Sequence, residues 1–102
     1  MKILAAADVE VGDEVVLGHV VDEGKGFAPC RHNSQNNPKH PCRTKVIRVG
    51  TKIIEIEASG YKSISVYKAG SIWAIATVEE ARKGQEYYMR NTIGRKDFVS
   101  NI

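Results

Sequence analysis

Apolar and polar residues alternate with period two over much of this chain. Glu14 to Val21 is a β-branched apolar run with Gly18 inside it, where a bulge or bend is expected. Lys45-Val-Ile-Arg-Val49 and Lys52-Ile-Ile-Glu-Ile-Glu57 are two further runs joined by a tight turn at Gly50. In the second of these, Glu55 and Glu57 alternate with Ile54 and Ile56, which leaves one face wet. Ser63 to Tyr67 alternates serine with Ile64 and Val66, and Ser71 to Ile75 carries Trp73. Turn residues at Ser59-Gly60 and Ala69-Gly70 separate them. The pattern predicts strands over 13–21, 45–49, 52–58, 63–67 and 71–75. Short strands with turns at roughly ten-residue spacing argue for a barrel or sandwich.

The pattern changes at Thr77-Val-Glu-Glu80. A threonine followed three residues later by glutamate is a capping box, and Glu79 and Glu80 suit the positive end of a helix dipole. A helix is predicted over about 78–91, with Gly94 as its stop. Its apolar positions are sparse (Val78, Ala81, Tyr88, Met89) and Gly84 sits in the middle, so only loose docking on the sheet is expected. Arg95 to Ile102 reads as a tail with Phe98, Val99 and Ile102 available for burial. Asp22 to Phe27 reads as loop. With Pro29, Pro38 and Pro41 behind it, the stretch 22–43 reads as a loop insertion in which no central strand can form.

A length of 102 residues sets a single domain, 1–102, with one modest core. Apolar residues make up 42% and charged residues 26%, an ordinary globular balance. No stretch approaches the roughly 20 apolar residues of a membrane helix. The run after Lys2 stops at Asp8, too short for a signal peptide. These features predict no membrane partner and a cytoplasmic location, with cysteines reduced or metal-bound.

The formal charge of +3 conceals an asymmetry. Residues 1–24 hold six acids against Lys2 alone, whereas residues 31–52 hold Arg31, Lys39, Arg43, Lys45, Arg48 and Lys52 and no acid. Those six cations form a candidate phosphate-contacting surface; the competing reading is a solvated face balanced by the acidic segment. Stacking residues for bases are few: Phe27, Tyr61, Tyr67 and Trp73, the last expected in the core or wall. Tyr87 and Tyr88 are about 100° apart on a helix, so one of them is expected outside as a partner anchor.

A second cluster is near-palindromic: Cys30-Arg-His32 and His40-Pro-Cys42. If the segment is a hairpin, Cys30 opposes Cys42 and His32 opposes His40, with Cβ atoms about 4.5–5.5 Å apart. Two thiolates and two imidazoles can then hold one tetrahedral zinc. The spacing C-x-H and H-x-C departs from the two-residue gap of the diagnostic knuckle. A Cys30–Cys42 disulfide and an unliganded loop remain open beside the zinc reading. Cys/His catalysis lacks an orienting group and an oxyanion site. His19, within an apolar strand, is expected to be structural.

Val11-Gly12-Asp13-Glu14-Val15-Val16, the hairpin Lys45-Val-Ile-Arg-Val-Gly50-Thr-Lys52-Ile-Ile-Glu-Ile56 and Ile72-Trp73-Ala74-Ile75 resemble the small barrels of the Src-homology, Tudor and KOW type. With the Thr77-x-Glu-Glu-Ala81 helix the pattern is similar to small barrel proteins encoded by tailed bacteriophages. The resemblance spans roughly residues 9–92 and departs at the Cys/His insertion. It implies binding of nucleic acid or protein segments and not catalysis.

These readings combine into a mostly β chain, a five-stranded small barrel with one C-terminal helix. Its expected function is that of a non-enzymatic binding module contacting nucleic acid or another polyanion through residues 31–52. The alternative is a phage-type module that engages and inhibits a host protein through Tyr87, Tyr88 and the long loop, in the host cytoplasm.

Overall fold

The computed structural model describes residues 1–29, 43–58, 61–67, 73–100 and 102. The elements are β1 (Glu14–Val21), β2 (Gly26–Pro29), β3 (Arg43–Val49), β4 (Ile53–Ala58), β5 (Tyr61–Tyr67), β6 (Ala74–Ala76) and α1 (Val78–Tyr87). All strand pairs are antiparallel and form one sheet. The chain is thus mostly β with one C-terminal helix.

β1 organises the sheet because it is buried on both faces, which is why its sequence is a continuous apolar run. Val15 and Leu17 enter one core with Leu4, Val9, Val46, Ile54, Ile56 and Ile75. Val16 enters the other with Phe27, Ala76, Ala81 and Ile102. Gly18 is not the expected bulge. A Cβ there would stand 2.6 Å from the Phe27 ring and 2.5 Å from the Ala28 carbonyl, so the glycine makes room for the ring that fills the second core. Gly84 does the same from the helix, where a Cβ would meet Phe27 Cβ at 2.7 Å. The helix therefore docks closely through Ala81 and Gly84, contrary to the loose docking its sparse apolar pattern suggested.

The residues 26–29 form a strand where a loop was expected. β2 lies on the same edge of β1 as β3. Val16 pairs with both Arg43 and Ala76, and Gly18 with both Pro29 and Ala74, so β6 takes one edge of β1 while β3 and β2 share the other. Pro29 and Arg43 thus stand opposite residues two apart on β1. In effect, β2 and β3 are one strand interrupted by residues 30–42.

This arrangement changes the expected barrel. Among the described residues β5 pairs only with β4, and β6, three residues long, pairs only with β1. β5 and β6 approach one another without a ladder, so the sheet does not close into a barrel. β6 is also shorter than the expected 71–75 strand, and residues 71–72 lie outside the described residues.

The β3–β4 turn forms as predicted, with Gly50 N–H donating to the Ile53 carbonyl at 2.8 Å. Gly50 is not in the left-handed region; it is confined by space, since a Cβ would lie 2.8 Å from Ile53 Cγ2. The register with β4 shifts between Val46 and Arg48, making Ile47 the extra residue of a bulge. Ile47 is consequently exposed and does not share the inner side with Val49.

At the helix start, Thr77 Oγ1 accepts from Glu80 N–H at 3.2 Å. The α-helix ends at Tyr87, and residues Tyr88–Thr92 continue as a wide π-type turn instead of the α-helix expected to about Asn91. The tail folds back: Ile102 is buried in the second core, and Arg82 Nε donates to its carbonyl at 2.6 Å. Trp73 stacks on His19 with ring centroids 4.1 Å apart, which places both at the wall of the first core.

Candidate functional site

Of the six cations, Arg31 and Lys39 lie outside the described residues, as do Cys30, His32, His40 and Cys42. The other four are carried by β3 and the turn after it. Register puts Arg43 beside Val16 and Lys45 beside Glu14 on the face that α1 covers further along β1. Arg43 is mostly buried, 13% exposed in its side chain, and its Nη1 donates to Glu14 Oε1 at 3.2 Å. Its Nε is buried and has no hydrogen-bond partner among the described residues. Arg48, opposite Glu55, forms an ion pair with it at 2.9 Å. Lys45 and Lys52 are exposed. The structure therefore brings the cations of β3 together with acids of its two neighbouring strands. The segment 31–52 has no acid, but the ladder supplies Glu14 and Glu55 from β1 and β4.

Among the described residues no group of three or more His, Cys, Asp or Glu side chains is placed to hold a metal ion. No described helix is long and apolar enough to cross a membrane.

The two tyrosines have different surroundings, but both are half-buried, so the expected exposed tyrosine is not found. Tyr88 lies over β2, where a Cβ on Gly26 would be 3.1 Å from its own Cβ. Tyr87 lines a surface groove of about 320 Å³ with Asp22, Glu23, Lys25, Asn91 and Thr92. This volume lies at the low end of the range for ligand clefts.

Two irregular backbones build the groove. On one wall Asp22 and Glu23 have φ values of 53° and 56°, and Gly24 follows at 92°. Left-handed backbone at a non-glycine residue costs on the order of 1 kcal/mol or more, and such residues persist only where their surroundings hold them. Here the Lys25 N–H donates to the Asp22 carbonyl, and Asp22 Oδ2 accepts from Thr92 Oγ1. On the other wall, the wide turn Tyr88–Thr92 brings Thr92 to that hydrogen bond, and Asn91 Nδ2 donates to the Tyr87 carbonyl at 3.1 Å. Both strained turns and π-type turns are concentrated at functional sites. The sequence reading had Tyr87 but missed Asp22, Glu23, Lys25, Asn91 and Thr92. The one available signal was polar character on both sides of an expected exposed tyrosine.

Comparison of the chain with protein-family models, with curated proteins and with solved structures finds no match.

Proposed function

We propose that this chain is a non-enzymatic binding module that engages a protein partner through the groove at Tyr87. The observation that carries the reading is the meeting of two backbone irregularities, the left-handed turn at Asp22–Glu23 and the wide turn Tyr88–Thr92, around a half-buried tyrosine. Tyrosine is a favoured interface anchor because it offers a large rigid surface with a polar tip. The ion pairs of Arg43 and Arg48 favour this reading over the polyanion one, because Glu14 and Glu55 locally neutralise two of the four described cations.

The second reading keeps a nucleic acid or other polyanion as partner. It is supported by the exposure of Lys45, Lys52 and the Arg48 side chain, the last 65% exposed despite its ion pair.

The proposal extends to a structural zinc on Cys30, His32, His40 and Cys42. The support is the register: the described ends of the segment, Pro29 and Arg43, face β1 residues about 6.4–6.8 Å apart, so the chain leaves and rejoins the sheet at neighbouring points.

The test is capture from a bacterial lysate on the immobilised chain, with and without nuclease and over a range of salt. The protein reading expects nuclease-resistant capture of a defined protein that Tyr87→Ala abolishes and Lys45→Glu leaves unchanged. Capture that vanishes with nuclease or with moderate salt supports the polyanion and rejects the protein reading.

A further inference from the structure

We infer that the groove receives an arginine side chain carried by the partner protein, an assignment that rests on the groove being the protein-binding surface. Four features converge on a guanidinium. Asp22 and Glu23 place two carboxylates on one wall. Neither is in an ion pair among the described residues. An ionised carboxylate offers about four acceptor positions, and the hydrogen bond from Thr92 occupies one at Asp22. The Tyr87 ring stands in the same groove, and a guanidinium stacks on an aromatic face while its planar fork donates to carboxylates.

Among the described residues Lys25 is the one cation in the lining, so this lining carries two acids against one base. That imbalance gives the inference its sign. Removing the Glu23 charge must weaken a cationic ligand, and removing the Lys25 charge must strengthen it. The left-handed turn fixes the backbone that carries both acids, and the hydrogen bond from Thr92 holds the Asp22 carboxylate before any ligand arrives, which lowers the ordering that opposes binding.

The probe is N-acetyl-arginine amide, titrated into the isotopically labelled full chain and followed by backbone chemical shifts, with N-acetyl-norleucine amide as the uncharged control. Shifts are expected to concentrate at residues 22–25 and 87–92 for the arginine compound only. Glu23→Gln should weaken the interaction about twofold to fivefold, as expected for an exposed charge pair, and Lys25→Ala should strengthen it. Shifts that scatter over the surface, that arise equally with the norleucine compound, or that ignore Glu23→Gln in a folded variant overturn the arginine assignment. If the arginine compound leaves the groove silent while Tyr87→Ala still abolishes protein capture, the arginine assignment falls and the protein-binding reading stands. Loss of both rejects both.

Discussion

Phe27 is the residue on which the second core turns. It is fully buried, its ring lies over Gly18, and its own Cβ touches the position that Gly84 leaves open. Phe27→Ala should cost about 3–5 kcal/mol. That is a large share of the roughly 5–15 kcal/mol that holds such a domain together. Gly18→Ala tests the same contact from the other side. One added methyl would overlap a backbone carbonyl that cannot rotate away, so a loss of about 1–3 kcal/mol is expected. In a domain of this size that lowers the melting temperature by roughly 4–8 °C per kcal/mol. Thermal unfolding followed by circular dichroism reads both, and an unchanged Gly18→Ala would mean that the ring is not seated there. The presence of Gly18 was legible in the sequence but its purpose was not, because the ring that needs the space comes from a segment that reads as loop. For Gly50 the turn was legible, whereas the constraint, a methyl of Ile53, depends on how the two strands meet.

At the scale of elements, the split of one strand into β2 and β3 makes the sharpest prediction. One residue is needed opposite Leu17 to join Pro29, opposite Gly18, to Arg43, opposite Val16. Replacing residues 30–42 by a single threonine should leave a folded chain with the same sheet and helix content by circular dichroism. Failure of that variant to fold would refute the continuity of the two strands. The zinc proposal adds a linked expectation. A chelator should lower the melting temperature of the intact chain, Cys30→Ser and His40→Ala should release metal with losses that do not add, and the shortened chain should ignore the chelator. A purified protein without stoichiometric zinc ends that proposal. For α1, Thr77→Ala should cost about 1 kcal/mol through the lost cap. That cap was readable because it is a local pattern of four residues. The wide turn after Tyr87 was not, because the sequence Tyr88-Met-Arg-Asn-Thr92 is equally compatible with α-helix. β3 and β4 announced themselves by alternation; β2, with only Gly-Phe-Ala-Pro29, is too short to show a period.

For the whole molecule, what the sequence could not convey is what lies next to what. The basic segment was visible as charge, but the pairing of Arg43 with Glu14 and of Arg48 with Glu55 depends on β3 lying between β1 and β4. The groove was invisible because its walls join Asp22 to Thr92, 70 positions apart in the chain. The expected barrel failed at the same scale: five strands and their turns were in the pattern, but closure depends on the last strand, which is only three residues long. The proposed protein interface at Tyr87 belongs to this scale. Its most direct test is the affinity of the captured partner measured across a tenfold range of salt for the native chain, for Tyr87→Ala and for a variant carrying both Lys45→Glu and Arg48→Glu. The expected result is weak salt dependence, a loss of at least tenfold on Tyr87→Ala, as for an anchor worth more than about 1.4 kcal/mol, and little change for the double charge reversal. A steep fall of affinity with salt, with Tyr87→Ala silent and the charge reversal disabling, would contradict it and return the function to polyanion binding.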